Sequence, residues 1–242
     1  MASASRSSIE RLLAPHGLRV RGAWAPTAAD GLPPLPSGVP AAVVWMVGQV
    51  GSDIWPAFER SEFLTDGLPD PLDRWTKSIG NPLAAAAGGV ALYPSDGPPW
   101  APFQQWALRA EPLHTSPLLL QIHPRFGLWH AWRFALALPQ LSLQDVDATT
   151  AAKPSMANPC IACDGQPCLT ACPVQAFTYG SYAVDRCSGF LHGPHGGDCM
   201  QHGCQARRAC PVGVENRYAP RHAAFHMAAF AQRRTKSGTT AS

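Results

Sequence analysis

A mixed fold of helices and strands, α/β or α+β, followed by a small cysteine-built domain, is what this sequence predicts. Three observations predict it. Apolar runs with strand character alternate with helical stretches as far as about residue 140. A polar stretch from Gln140 to Asn158, rich in Ser, Asp, Thr, Ala and Lys, then interrupts the pattern. All eight cysteines follow it, between Cys160 and Cys210.

The elements follow in order. Ser8 is placed to cap a short helix, "IERLLAPHG", with Ile9, Leu12 and Leu13 on one face and Gly17 as its terminator. "LRVRGAWA" alternates like an exposed strand, and residues 25–40 form a Pro/Gly-rich loop. "AAVVWMVGQVG" is almost wholly apolar, which suits a strand buried on both faces. Ser52 or Asp53 then caps a helix through about Phe63. Residues 70–88 are helical, with Pro71 in the first turn and a break near Pro82. "VALYP" is another strand, and "APFQQWALRAEPLH" a helix with Pro102 near its start. "PLLLQIHP" and "GLWHAWRFALALP" are β-rich runs around "RFG", a hairpin signal. These elements give a first domain over 8–140, a linker over 141–158, a cysteine domain over 159–230 and a disordered tail, "AQRRTKSGTTAS", over 231–242.

Composition narrows the function. The chain has 242 residues and a net charge of +3, too weak a balance to argue for nucleic acid or an anionic membrane. "MASASRSSIERLL" lacks the apolar core of a secretion signal, and the longest apolar run, near "PLAAAAGGVALYP", is too short to cross a bilayer. A cytoplasmic protein is expected. In that reducing compartment, clustered thiols are metal ligands more often than disulfides.

The cysteine spacings carry the strongest signal. Cys160, Cys163, Cys168 and Cys172 run C-x2-C-x4-C-x3-C-P; Cys187, Cys199, Cys204 and Cys210 run C-x11-C-x4-C-x5-C-P. Zinc sites of four thiolates usually show two C-x2-C pairs, whereas this chain has one. The two groups of four resemble a two-cluster ferredoxin module, whose usual run is C-x2-C-x2-C-x3-C-P. In that family the fourth cysteine of each run ligates the other cluster. The resemblance implies two 4Fe-4S clusters, one held by Cys160, Cys163, Cys168 and Cys210, the other by Cys172, Cys187, Cys199 and Cys204. The wider x4, x11 and x5 gaps depart from the family pattern. Zinc and disulfides are the alternatives. Arg186, Arg207, Arg208 and Arg217 are candidates to offset the clusters' negative charge, or plain surface residues. His192, His195 and His202 are alternative ligands, or polar loop residues.

"IHPRFGLWHAWR", residues 122–133, is the second unusual stretch. Pro124 and Gly127 mark a turn, and Arg133 stands in an aromatic strand where burial demands a partner. The stretch resembles the motif Ile-His-Pro-Arg-Phe-Gly-x-Trp-x-Ala-x-Arg of the cobalamin-processing CblC-type proteins. "LTDGLPDPLDRW", residues 64–75, is similar to a second segment of that family. The resemblance implies an α+β, nitroreductase-like sandwich binding cobalamin or flavin, with His123, Arg125, Trp129 and Arg133 as cofactor-site residues. Some members place a cobalt-facing histidine in the helix that corresponds to 102–114; this chain shows no counterpart there, and Arg109 sits near that position. A CblC-like domain followed by two clusters also resembles the core of epoxyqueuosine reductase and the reductive dehalogenases. The combined expectation is an iron–sulfur oxidoreductase taking single electrons from a ferredoxin or flavodoxin, with no catalytic residue assigned. A ferredoxin-like carrier and a cobalamin reductase or chaperone are the alternatives.

Overall fold

The computed structural model describes residues 6–140 and 156–238, so most of the expected linker and the last four residues of the expected tail lie outside the described residues. The chain is a mixture of helix and sheet. By contacts it divides into two units, 6–112 with 131–140 and 113–130 with 156–238. The segment 113–130, which the sequence groups with the first domain, therefore packs with the cysteine-bearing part of the chain. Among the described residues, no helix is long and apolar enough to cross a membrane.

The first unit is built on a four-stranded sheet in the order β1-β2-β6-β3. Its strands are β1 (Arg19–Trp24), β2 (Val43–Val50), β3 (Val90–Leu92) and β6 (His130–Leu138). β1 pairs antiparallel with β2, and β3 antiparallel with β6. Every residue of β2 is buried, as its unbroken apolar run predicts for an inner strand. Helix α1 (Arg6–Leu13) buries Ile9 and Leu13 but leaves Leu12 exposed. Gly17 closes the turn after it with φ +68°. Helix α2 is only Trp55–Glu59, and a separate 3-10 turn covers Glu62–Leu64, so the expected longer helix is split.

Helix α3 (Pro71–Ala86) runs through Pro82 without the expected break. Proline removes one backbone donor from a helix interior. Here the apolar face Leu72, Trp75, Ile79 and Leu83 is buried on both sides of that position, so packing holds the helix across it. Gly80 lets α3 approach closely, since a Cβ there would meet Tyr93 Oη at 2.4 Å.

A buried polar network lies beside the sheet. Arg21 donates from Nε to Glu111 Oε1 at 2.9 Å and pairs again through its second nitrogen with Oε2. Its guanidinium stacks 4.3 Å from the Trp132 ring centroid. Arg133 Nε donates to Gln49 Oε1 at 2.6 Å. Helix α4 (Phe103–Ala110) carries Arg109, which pairs with Asp30, donates to Ala25 O at 2.7 Å and stacks 3.9 Å from the Trp24 ring centroid. Arg109→Ala removes all three contacts at a partly exposed site. The expected loss is about 1 kcal/mol, read as a lower urea midpoint for the full chain.

The second unit has little sheet. Strands β4 (His114–Thr115) and β5 (Gln121–Ile122) form a short ladder. The expected hairpin around "RFG" is instead a tight turn with a single His123–Gly127 bridge, because β5 pairs back to β4. Four short helices follow: α5 (Pro167–Thr170), α6 (Val184–His192), α7 (Gly197–His202) and α8 (Gln205–Arg208). A two-residue ladder, β7 (Phe177–Thr178) with β8 (Ser181–Tyr182), separates α5 from α6. Helix α9 (Pro220–Gly238) packs along α7 and α6. It continues past residue 231, where the sequence led us to expect a disordered tail.

Candidate metal centre

The cysteines stand on loops and first turns between these short helices. Cys168 lies in α5, Cys187 in α6, Cys199 in α7, and Cys204 immediately before α8. Short elements joined by Gly and Pro turns let the chain present many side chains toward one interior. Gln166 and Gln175 take positive φ, 39° and 48°, to make the turns on either side of Cys168 and Cys172. All eight cysteines are free thiols. Six of them join Leu118, Ile122, Leu128, Ala176 and Ala206 in one apolar cluster.

Cys160, Cys163, Cys168 and Cys210 all line one small cavity with about 20 Å³ of free space, open in part to solvent. Burial pushes the Cys160 thiol up to about 11, and Cys210, Cys168 and Cys163 push it in the same direction. Burial also raises Cys168 and Cys210, each again coupled to Cys163. The remaining four form a second group. Burial raises Cys187, with Cys172 and Cys199 adding to the shift. Burial raises Cys204, and Cys199 and Cys187 add. Cys172 and Cys210, the last cysteine of each run, have thus changed places, each siding with the other run.

Several sulfurs have backbone donors aimed at them. Ala176 N–H donates to Cys172 Sγ at 3.3 Å. The N–H groups of Arg207 and Ala206 favour the Cys204 thiolate, those of Cys168 and Leu169 the Cys168 thiolate, and that of Val212 the Cys210 thiolate. Cations help at one corner, where Arg217 and Arg207 oppose the rise at Cys210. Arg208 is committed to Asp198 and the Gly203 carbonyl, and Arg186 to the Gln175 carbonyl.

No three His, Cys, Asp or Glu side chains among the described residues converge tightly enough to hold one metal ion. A single zinc ion needs its thiolates at about 2.3 Å from one point. A cubane spreads four thiolates over four irons, so a looser quartet suits it. Buried and half-buried thiols, amide donors directed at sulfur and, for Cys160, Cys163, Cys168 and Cys210, a shared cavity are the features that suit such a group. His192, His195 and His202 are exposed, with His192 turned to the Ser188 carbonyl and His202 to Asp198.

The four residues assigned to a cofactor site by the second motif do separate jobs. His123 is buried, and its Nδ1 accepts hydrogen bonds from the Arg125 and Phe126 N–H groups at 3.0 and 3.2 Å. Its ring stacks on Phe126 at 4.3 Å between centroids. Arg125 is exposed, with its guanidinium 5.7 Å from the Phe126 ring centroid. Trp129 is buried, edge-on to Tyr218 at 5.7 Å, and Arg207 lies 4.7 Å from its centroid. These three belong to the second unit, and Arg133 to the first.

The turn carrying His123 docks on the loop that follows Cys210. A Cβ on Gly127 would lie 1.9 Å from Val212 O, and one on Gly213 would lie 2.4 Å from Phe126 C. The sequence marked Gly127 as a bend but not its contact; Gly213 and the cavity wall formed by Ser116, Pro117, Ile122 and Leu128 went unmarked. No known protein-family model matches this chain, and no curated protein matches it significantly.

Proposed function

We propose that the chain is an iron–sulfur oxidoreductase, cytoplasmic, carrying two 4Fe-4S clusters and taking single electrons from a reduced ferredoxin or flavodoxin. Cys160, Cys163, Cys168 and Cys210 hold one cluster, and Cys172, Cys187, Cys199 and Cys204 the other. The observation that carries the reading is the exchange of partners: Cys210 joins the first run's three cysteines in one cavity. That exchange is the arrangement of two-cluster ferredoxins. The clusters, when bound, supply one-electron transfer. The chain's own residues do the rest. The buried and half-buried thiols release their protons and become ligands, the amide N–H groups stabilise the resulting negative charge, and the apolar wall limits its contact with water.

In this proposal the first unit is a CblC-like, nitroreductase-like domain that holds the electron acceptor, a corrinoid or flavin. A second reading is a ferredoxin-like carrier with no acceptor of its own. It draws support from His123, whose Nδ1 is spent inside its own turn, and from Arg133, which is bonded to Gln49.

Oxygen-free purification of the full chain tests the core of the proposal. About eight Fe per chain with matching sulfide is expected, the content of two cubanes. Stoichiometric zinc without iron overturns it. Titration of that protein with cobalamin and with flavin then separates the two readings. Saturable spectral change with either one supports the oxidoreductase, and none with both supports the carrier.

A further inference from the structure

The gap from Cys163 to Cys168 holds four residues where the usual two-cluster run holds two. This longer loop is the exposed side of the first quartet. Gly165 and Gln166 take positive φ in succession, 64° and 39°, and a Cβ on Gly165 would meet nothing within 4 Å. Ile161, Ala162, Asp164 and Gly165 are all exposed, Ile161 at 84%. Of the eight cysteines, Cys163 alone has an exposed residue on each side. Its sulfur still faces the quartet. Cys163 raises the thiols of Cys160, Cys168 and Cys210 alike, and it lines their cavity, which opens in part to solvent. The other three are held more firmly: Cys168 and Cys210 are buried, and the Cys160 N–H donates to Asn158 Oδ1 at 3.0 Å.

We propose that the Cys163 corner of the first cluster is an exchangeable ligand position, open to small external thiols, while Cys160, Cys168 and Cys210 stay bound. This rests on the two-cluster reading above. In the exchange the iron–Sγ bond to Cys163 breaks and an iron–sulfur bond to the external thiol forms. The thiol's proton passes to Cys163 Sγ, and no electron is transferred. Access decides which thiolate is replaced, because an incoming ligand must reach the iron from solvent and a buried cysteine is inert. The exposed loop supplies that access at Cys163. It also has few contacts to lose when it swings away, which places it among the segments that open most easily. The first cluster then has a place to bind a ligand, beyond passing electrons.

Cys163→Ala and Cys168→Ala in the full chain, reconstituted without oxygen and with or without 2-mercaptoethanol, test the proposal by iron analysis and electron paramagnetic resonance. With the thiol, Cys163→Ala is expected to recover the parent's content of about eight Fe per chain, and without it to hold less. Its reduced signal is expected to shift saturably as the thiol is added. Cys168→Ala, whose corner is buried, is expected to stay at about four Fe under both conditions. The parent chain supplies a second measurement that needs no variant. Iodoacetamide, which traps a thiol as it leaves its iron, is expected to alkylate Cys163 ahead of the other cysteines in a peptide mass map. Iron in Cys163→Ala that ignores the thiol, equal rescue of Cys168→Ala, or earlier alkylation of another cysteine overturns the open corner while leaving the clusters in place. A parent chain without iron removes both readings together, and the iron count identifies that case.

Discussion

Cys160→Ala/Cys210→Ala is expected to bind about four Fe per chain, and Cys160→Ala/Cys172→Ala close to none, against about eight in the parent. The two double variants each lose two thiols. They differ only in whether those thiols belong to one quartet or to two. Read along the sequence, Cys160 and Cys172 share a run and Cys210 stands in the other. Read by cavity and coupling, Cys210 belongs with Cys160, and Cys172 with Cys187. Iron analysis after anaerobic reconstitution decides between the two orders, and the sequential order predicts the reverse outcome. Loss of metal also removes folding energy, because the ligands are brought together only in the folded state. The variant with neither quartet intact is therefore expected to lose helical signal in circular dichroism as well as iron.

The sequence made some parts of this molecule easy to read. β2 is apolar at nearly every position, and only an inner strand buries such a run on both faces. Gly17 is the one residue after α1 that takes φ +68° freely, and its place as terminator follows. Cysteine spacing named the eight candidate ligands before any geometry was known, because few other chemistries need so many thiols so close together.

Other parts depend on contacts that no local pattern encodes. Pro82 reads as a helix breaker by propensity, and packing on both sides overrides it. The end of α9 reads as a polar tail, yet a helix already nucleated at Pro220 extends at little cost per residue. "IHPRFG" looks like a strand–turn–strand element of the first domain, but β5 is satisfied by β4 and the turn by the loop after Cys210.

Gly127→Ala is expected to destabilise the cysteine unit by roughly 3–5 kcal/mol. Two costs combine. Gly127 has φ +59°, and a non-glycine residue held in that region costs about 1–3 kcal/mol. Its Cβ would also stand 1.9 Å from Val212 O, a backbone atom that no rotamer change moves away. Relief requires the loop after Cys210 to shift, and that loop positions a thiol of the first quartet. Gly165→Ala is the control, because Gly165 has φ +64° with nothing within 4 Å of a new Cβ. It is expected to show the conformational cost alone, about 1 kcal/mol. Thermal unfolding of the full-length variants measures both, together with the rate at which chelator removes iron. Gly127→Ala is expected to unfold at lower temperature than Gly165→Ala and to release about half its iron faster, and equal behaviour would mean that the turn does not rest on Val212. The contact joins the "RFG" turn to the ligand loop through backbone alone, so no compensating side-chain change elsewhere is expected to rescue it.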